Sequence, residues 1–111
     1  MKNTASNDLL VVFVTTPDRT SAETIAQVLI EERLAACVNI VPELHSVFRW
    51  EGKLERSNES MLFIKTTSAA LQKLEAKVRE IHPYSTPEFV ALRAEYVEEQ
   101  YLKWARGVLE N

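Results

Sequence analysis

The decisive stretch is Leu34 to Thr66, where LAACVNIVPELHSVFRW (34–50), EG (51–52) and KLERSNESMLFIKT (53–66) follow one another. Two long extended segments flank Glu51-Gly52, a two-residue connection suited to a tight hairpin because glycine takes a positive φ at little cost. Along the first arm Ala36, Val38 and Ile40 alternate with Cys37, Asn39 and Val41. Beyond Pro42, the residues Ser46, Phe48 and Trp50 share one face, with Val47 and Arg49 opposite. The second arm starts charged (Lys53, Glu55, Arg56, Glu59) and ends in the apolar run Met61-Leu62-Phe63-Ile64. Both arms exceed the usual strand of about 5–6 residues. Their distal half outruns any core that a chain of 111 residues can build, yet it carries Val47, Phe48 and Trp50. An apolar ribbon of that kind needs another surface to cover it, which points to an oligomer.

Working outward, Leu9-Leu10-Val11-Val12-Phe13-Val14 is a continuous apolar run, as expected of a strand in the middle of a sheet. Thr15-Thr16-Pro17-Asp18 ends it with turn chemistry. Thr20-Ser21-Ala22-Glu23 has the spacing of a capping box. The helix that follows sets Ala22, Ile25, Ala26, Leu29 and Arg33 along one stripe. After the hairpin, Thr67-Ser68 can cap a second helix with Leu71, Leu74, Val78 and Ile81 at helical spacing. The segment His82-Pro83-Tyr84-Ser85-Thr86-Pro87-Glu88 stops it, because each proline disfavours helix in the residue before it. Phe89 to Ala94 reads as a strand and Glu98 to Leu109 as a last amphipathic helix. The order βαββαβ plus a C-terminal helix predicts an α+β, ferredoxin-like (split βαβ) fold with an antiparallel sheet and both early helices on one face. One short C-terminal helix cannot span the other face, so packing of sheets between subunits is expected.

Composition sets the bounds. The chain is 46% hydrophobic and 26% charged with a net charge of −3, which suits one globular domain over residues 1–111, with residues 1–8 flexible, and offers no attraction to nucleic acid. One cysteine fits a reducing compartment. No signal-peptide layout or membrane span is visible, so a cytoplasmic protein is expected, without a membrane partner. Neither a Ser/His/Asp order nor a nucleophile elbow nor a phosphate loop is present, and no enzyme is predicted.

Several pieces together resemble the CutA divalent-cation-tolerance family. They are Thr16-Pro17-Asp18, Leu34 to Ile40, Ser46 to Gly52, Lys65-Thr66-Thr67, His82 to Glu88, and Tyr101-Leu102-Lys103-Trp104. The resemblance covers nearly the whole chain from about residue 10. It implies a homotrimer similar to the PII signalling proteins, linked to tolerance of copper and other divalent metals, with Cu(II) or another divalent cation as the candidate cofactor and no organic cofactor. In copper-binding members the resemblance places a cysteine at Val14 and a histidine at Ile81; of that set this chain keeps His82.

Soft or imidazole donors are few: Cys37, His45, His82, Met1 and Met61. No CxxC and no helically spaced histidine pair writes a closed site within one subunit. Cys37 reads either as a small buried hydrophobe or as a ligand, His82 as a loop cap or a ligand, and His45 as a surface residue. The resemblance implies an inter-subunit cleft lined by Lys65, Tyr84, Glu88, Glu59 and Trp50. That set could hold a small anion or polar ligand, the basis of an alternative reading as a PII-like sensor acting through a protein partner. Phe48, Trp50 and Trp104 are the expected oligomer contacts.

Overall fold

The computed structural model describes residues 8–110, so the expectation of a flexible start over residues 1–8 lies outside the described residues apart from Asp8. Asp8 itself is held. Its carboxylate meets Arg106 at 2.9 Å and its carbonyl accepts the Ser68 N–H at 3.1 Å. The elements are β1 (Leu9–Thr16), α1 (Arg19–Glu31), β2 (Cys37–Trp50), β3 (Lys53–Thr67), α2 (Ser68–Ile81), β4 (Val90–Arg93) and α3 (Glu99–Glu110). The four strands form one antiparallel sheet in the order β2-β3-β1-β4, the ferredoxin-like arrangement expected from the βαββαβ pattern.

Alternation along the strands sorts the side chains into two layers. Val12 and Val14 of β1, with Leu62 and Ile64 of β3, are fully buried against Ala22, Ile25 and Leu29 of α1 and Leu74 and Val78 of α2. A second, smaller cluster lies on the other face, where Leu9 packs on Leu102 and Ala105 of α3. Ala36 joins this second cluster, although the sequence pattern grouped it with Val38 and Ile40, which pack on the first. The cause is that Ala36 precedes β2, and its N–H already bonds the Lys65 carbonyl at 2.8 Å beside α3.

Other local readings shift as well. The N-cap of α1 is Asp18 rather than Thr20: its carboxylate accepts the Ser21 N–H at 2.8 Å. An ionised acceptor at that position also favours the positive end of the helix dipole. Arg33 leaves the helical stripe and adopts φ 58°, with Arg33 N–H bonded to the Ile30 carbonyl and Leu34 N–H to the Leu29 carbonyl. That pair of bonds is a Schellman ending in which arginine holds the left-handed seat that glycine usually takes. β1 runs on through Thr16, and β4 is confined to four residues.

The hairpin makes the molecule long. Fourteen residues of β2 run about 46 Å at the usual strand rise, close to the 49 Å long axis of the protein. Glu51 at φ 51° and Gly52 at φ 81° close it, both positive as a type I′ turn requires. Midway, Val41 pairs with Met61 but Leu44 pairs with Glu59, so Pro42 and Glu43 together stand opposite Ser60. This bulge accommodates a residue with no N–H to give, and the buried Ser60 hydroxyl donates to the Pro42 carbonyl at 2.7 Å. The turn supplies a test, because a methyl group at Gly52 would meet nothing within 4 Å and any penalty is therefore conformational. Gly52→Ala should lower stability by about 1–2 kcal/mol, and Glu51→Asn should raise it slightly, both read by chemical denaturation at fixed protein concentration.

Candidate functional site

α2 ends where His82 takes an extended conformation, with its N–H bonded to the Val78 carbonyl. The buried imidazole then bridges two backbones. Nε2 donates to the Thr15 carbonyl at 2.7 Å, and Nδ1 accepts the Tyr84 N–H at 3.0 Å. A carbonyl can only accept and an amide N–H can only donate, so the contacts set a neutral ring protonated on Nε2. Both nitrogens are thus committed to stitching the loop after α2 onto the end of β1. This is the loop-capping role, and within the protomer it leaves no lone pair for a metal.

The same loop sets Tyr84 against the ring of His82, with centroids 4.9 Å apart, and sends its hydroxyl to Glu59 Oε2 at 2.9 Å. Glu59 is buried on β3 and lines a cavity of about 320 Å³ together with Pro17, Arg19, Pro42, Glu43 and Asn58. Burial, then the hydrogen bond to Glu59 and its charge, push the Tyr84 phenol up to about 12. Glu88 lies close enough to feel the same carboxylate: desolvation first, and Glu59 second, hold its carboxyl above the ordinary glutamate range. The phenol is thereby moved away from neutrality, the reverse of what a general base requires. The geometry favours holding a polar group over transferring its proton.

The rest of the expected cleft lies elsewhere in the protomer. Lys65 is six residues along β3 from Glu59, or about 20 Å at strand rise. It faces the open side of the sheet, where its ammonium donates to Asn39 Oδ1. Cys37, half-buried directly across from Lys65, directs its thiol to the same Asn39 oxygen at 3.8 Å. Tyr101 of α3 closes this second group, its phenol raised by burial and then by the Cys37 thiol. Trp50 and Phe48 stand at the hairpin tip, 50% and 41% exposed, and Trp104, 48% exposed, stacks on Tyr101. His45 is exposed and bonds Asn58. Among the described residues no three His, Cys, Asp or Glu side chains are grouped so as to hold a metal ion. Asn39 escaped the sequence reading; the one signal for it was a polar residue inside the run Cys37–Val41.

Two measurements check this geometry. Glu59→Gln should bring the Tyr84 phenol part of the way from about 12 toward 10.0, burial keeping the remainder, in an ultraviolet titration of phenolate. Ionising Glu88 opposes folding, so its contribution is fully present below the ordinary glutamate range and is lost as pH rises through the raised value. Glu88→Gln should therefore raise the melting temperature at neutral pH and give no gain in acid; equal melting at both pH values would show that Glu88 ionises freely.

The family model described as CutA1 divalent ion tolerance protein matches residues 10–108. The divalent-cation tolerance protein CutA of Thermus thermophilus is 49% identical over 96 residues, covering 86% of this chain and 93% of that protein. Human Protein CutA is 42% identical over 99 residues, covering 89% of this chain and 55% of the human protein. Among solved structures, the Thermus thermophilus protein superposes with a TM-score of 0.87 at 47% identity, covering 89% of this chain and 96% of that one. The periplasmic divalent cation tolerance protein CutA of Archaeoglobus fulgidus superposes with a TM-score of 0.88 at 35% identity, covering 91% and 98%. The family model and the Thermus and Archaeoglobus proteins are named for tolerance of divalent ions and not for a reaction. With the match running from β1 through α3 on the same four-stranded sheet, the chain belongs to the CutA1 divalent-ion-tolerance family.

Proposed function

We propose that the chain works as a cytoplasmic homotrimer, built like the PII signalling proteins and without catalytic chemistry of its own, that supports tolerance of divalent cations. The observation that carries this reading is the open side of the sheet. Phe13 and Phe63 stack there at 5.3 Å, flanked on β4 by Val90 and Leu92, which are 45% and 51% exposed. α3 covers only the end of that face at Leu9, and the hairpin adds Phe48 and Trp50 beyond any core of its own. An apolar surface of this extent is what an obligate subunit interface buries.

The donors of one protomer do not fit a bound cation. His82 has both nitrogens engaged, and Cys37 stands beside Asn39, Lys65 and Tyr101, none of them a soft or imidazole donor. A cation held by the assembly would then draw its ligands from more than one subunit, with Cys37 on the open sheet face as the candidate soft donor. The alternative, a small-ligand sensor signalling through a protein partner, is favoured by the Lys65–Asn39 pair on that face, a cationic group with no carboxylate partner among the described residues.

Calorimetric titration of the metal-free protein with Cu(II) and Zn(II), beside Cys37→Ser and His82→Ala, separates these readings. Saturable binding lost in Cys37→Ser supports a metal between subunits; no saturable binding moves the function to the sensor. Trp50→Ala should shift sedimentation toward smaller species at low protein concentration. An unaltered oligomer with an unaltered melting temperature removes the hairpin from the interface.

A further inference from the structure

Residues 83–88 run between two fixed points. Before them His82 is buried at the end of α2, and after them Phe89 packs on the main core. Pro83 and Pro87 have no N–H to give. Among the described residues the segment forms two hydrogen bonds, and Tyr84 makes both. Its N–H donates to His82 Nδ1 at 3.0 Å, and its hydroxyl donates to Glu59 Oε2 at 2.9 Å. The Tyr84 ring rests on the His82 ring between these bonds. A six-residue loop is thus held down through one residue, and half of that hold is an imidazole lone pair.

The two nitrogens of that ring respond differently to a proton. Nε2 already donates, to the Thr15 carbonyl at 2.7 Å, and it donates in the imidazolium as well. A proton on Nδ1 turns the acceptor of the Tyr84 N–H into a second donor, so donor faces donor. One contact survives protonation and the other cannot. The ring stays fastened to β1 while it lets go of the loop. Charged and titratable groups around the ring and loop are Glu59 on β3, Tyr84 and Glu88 on the loop, and Asp18 and Arg19 where α1 begins. The last turn of α2 adds only the exposed Arg79 and Glu80, and β1 adds none. No carboxylate or cation among these bonds the ring itself. Glu88 works in the opposite sense to the ring: its carboxyl, once protonated in acid, no longer repels Glu59, which favours the closed loop.

We propose that His82 is a proton-operated latch: with the ring neutral, residues 83–88 are held closed with Tyr84 on Glu59, and uptake of a proton releases them. Once the Tyr84 N–H is free, the phenol hydroxyl on Glu59 is the last hydrogen bond of the segment. Its departure uncovers the Glu59 carboxylate in the wall of the cavity of about 320 Å³ that it shares with Pro17, Arg19, Pro42 and Asn58. Because the closed form requires the neutral ring, it prevails at neutral and alkaline pH and is lost as pH falls through the titration of the ring. By reciprocity, anything that lifts the loop favours the protonated ring. The device stands apart from cation binding between subunits and from the Lys65 group on the open face.

The test is an NMR titration of the full chain, with chelator present, from about pH 8 to about pH 5, the span in which imidazole ordinarily changes charge. Ring nitrogen shifts report the charge on His82, with the exposed His45 as internal comparison. Amide exchange, corrected for its intrinsic pH dependence, reports the Tyr84 N–H. Its protection should fall about tenfold as the His82 ring takes its proton, as loss of one hydrogen bond implies, while the β1 amides stay protected. His82→Gln, whose amide can donate and accept as the neutral ring does but takes no proton, should keep Tyr84 protected throughout. Glu88→Gln should lose protection as the parent does. Tyr84→Phe, which keeps the ring and removes the bond to Glu59, should lose more of it. The proposal is overturned if the His82 ring takes its proton with Tyr84 still protected, or stays neutral down to about pH 5. It is equally overturned if His82→Gln loses protection like the parent, or if Glu88→Gln or Tyr84→Phe loses none.

Discussion

β1 is bonded along both edges, to β3 and to β4, and its residues are apolar on both faces. Covering those two faces is the constraint on which the other elements depend. One face is solved within the chain: α1 and α2 lay Ala22, Ile25, Leu29, Leu74 and Val78 over Val12, Val14, Leu62 and Ile64, all of them essentially inaccessible. Each large side chain buried in this way contributes about 1.5–3 kcal/mol, so this layer holds most of what stabilises an isolated protomer. On the other face α3 covers one end, at Leu9, Ala36 and Cys37, and the Phe13–Phe63 pair stays half-buried. On the reading proposed above, folding buries the first face and assembly the second.

The polar groups follow the same division. On the helix side every buried polar group near the core is spent on backbone: Thr66 Oγ1 donates to the Leu34 carbonyl, Thr16 Oγ1 to the Asp18 carbonyl, and His82 bridges Thr15 and Tyr84. These contacts fasten loops, and they consume the groups that would otherwise be read as chemistry. Polar groups with capacity to spare sit where the protomer stops: Lys65, Asn39 and Cys37 on the open face.

Which features were legible in the sequence depends on the range of the interaction that sets them. Element order, the Glu51-Gly52 turn and the alternation within β1 and β3 are written in neighbouring residues, and they read directly. The start of α1 was misread because Thr20-Ser21-Ala22-Glu23 carries the spacing of a capping box, whereas the ionised carboxylate of Asp18, read as part of the turn, accepts the N–H better than a hydroxyl. Ala36 and Arg33 were misplaced for a different reason. Each sits one or two residues outside a regular element, where tertiary contacts to Lys65 and Val108 override the local period. The Tyr84–Glu59 bond joins residues 25 apart, and the separation of Lys65 from that pair depends on how far β3 extends; neither leaves a trace in spacing.

The bulge at Pro42 and Glu43 has a further consequence. Side chains alternate with a period of two, and one extra residue in β2 moves the alternation by half a cycle relative to the unbroken β3. Before it, the odd-numbered Cys37, Asn39 and Val41 look out over the open side of the sheet; after it, the even-numbered Leu44, Ser46, Phe48 and Trp50 do so, opposite Glu59, Ser57, Glu55 and Lys53. The bulge acts as a phase shifter that brings the two large rings of the tip into line with Phe13 and Phe63. Length at this point is consequently forgiving: loss of either bulge residue would leave Leu44 opposite Glu59 in an unbroken ladder, with Phe48 and Trp50 still on that side, so the bulge absorbs an extra residue without turning the tip over.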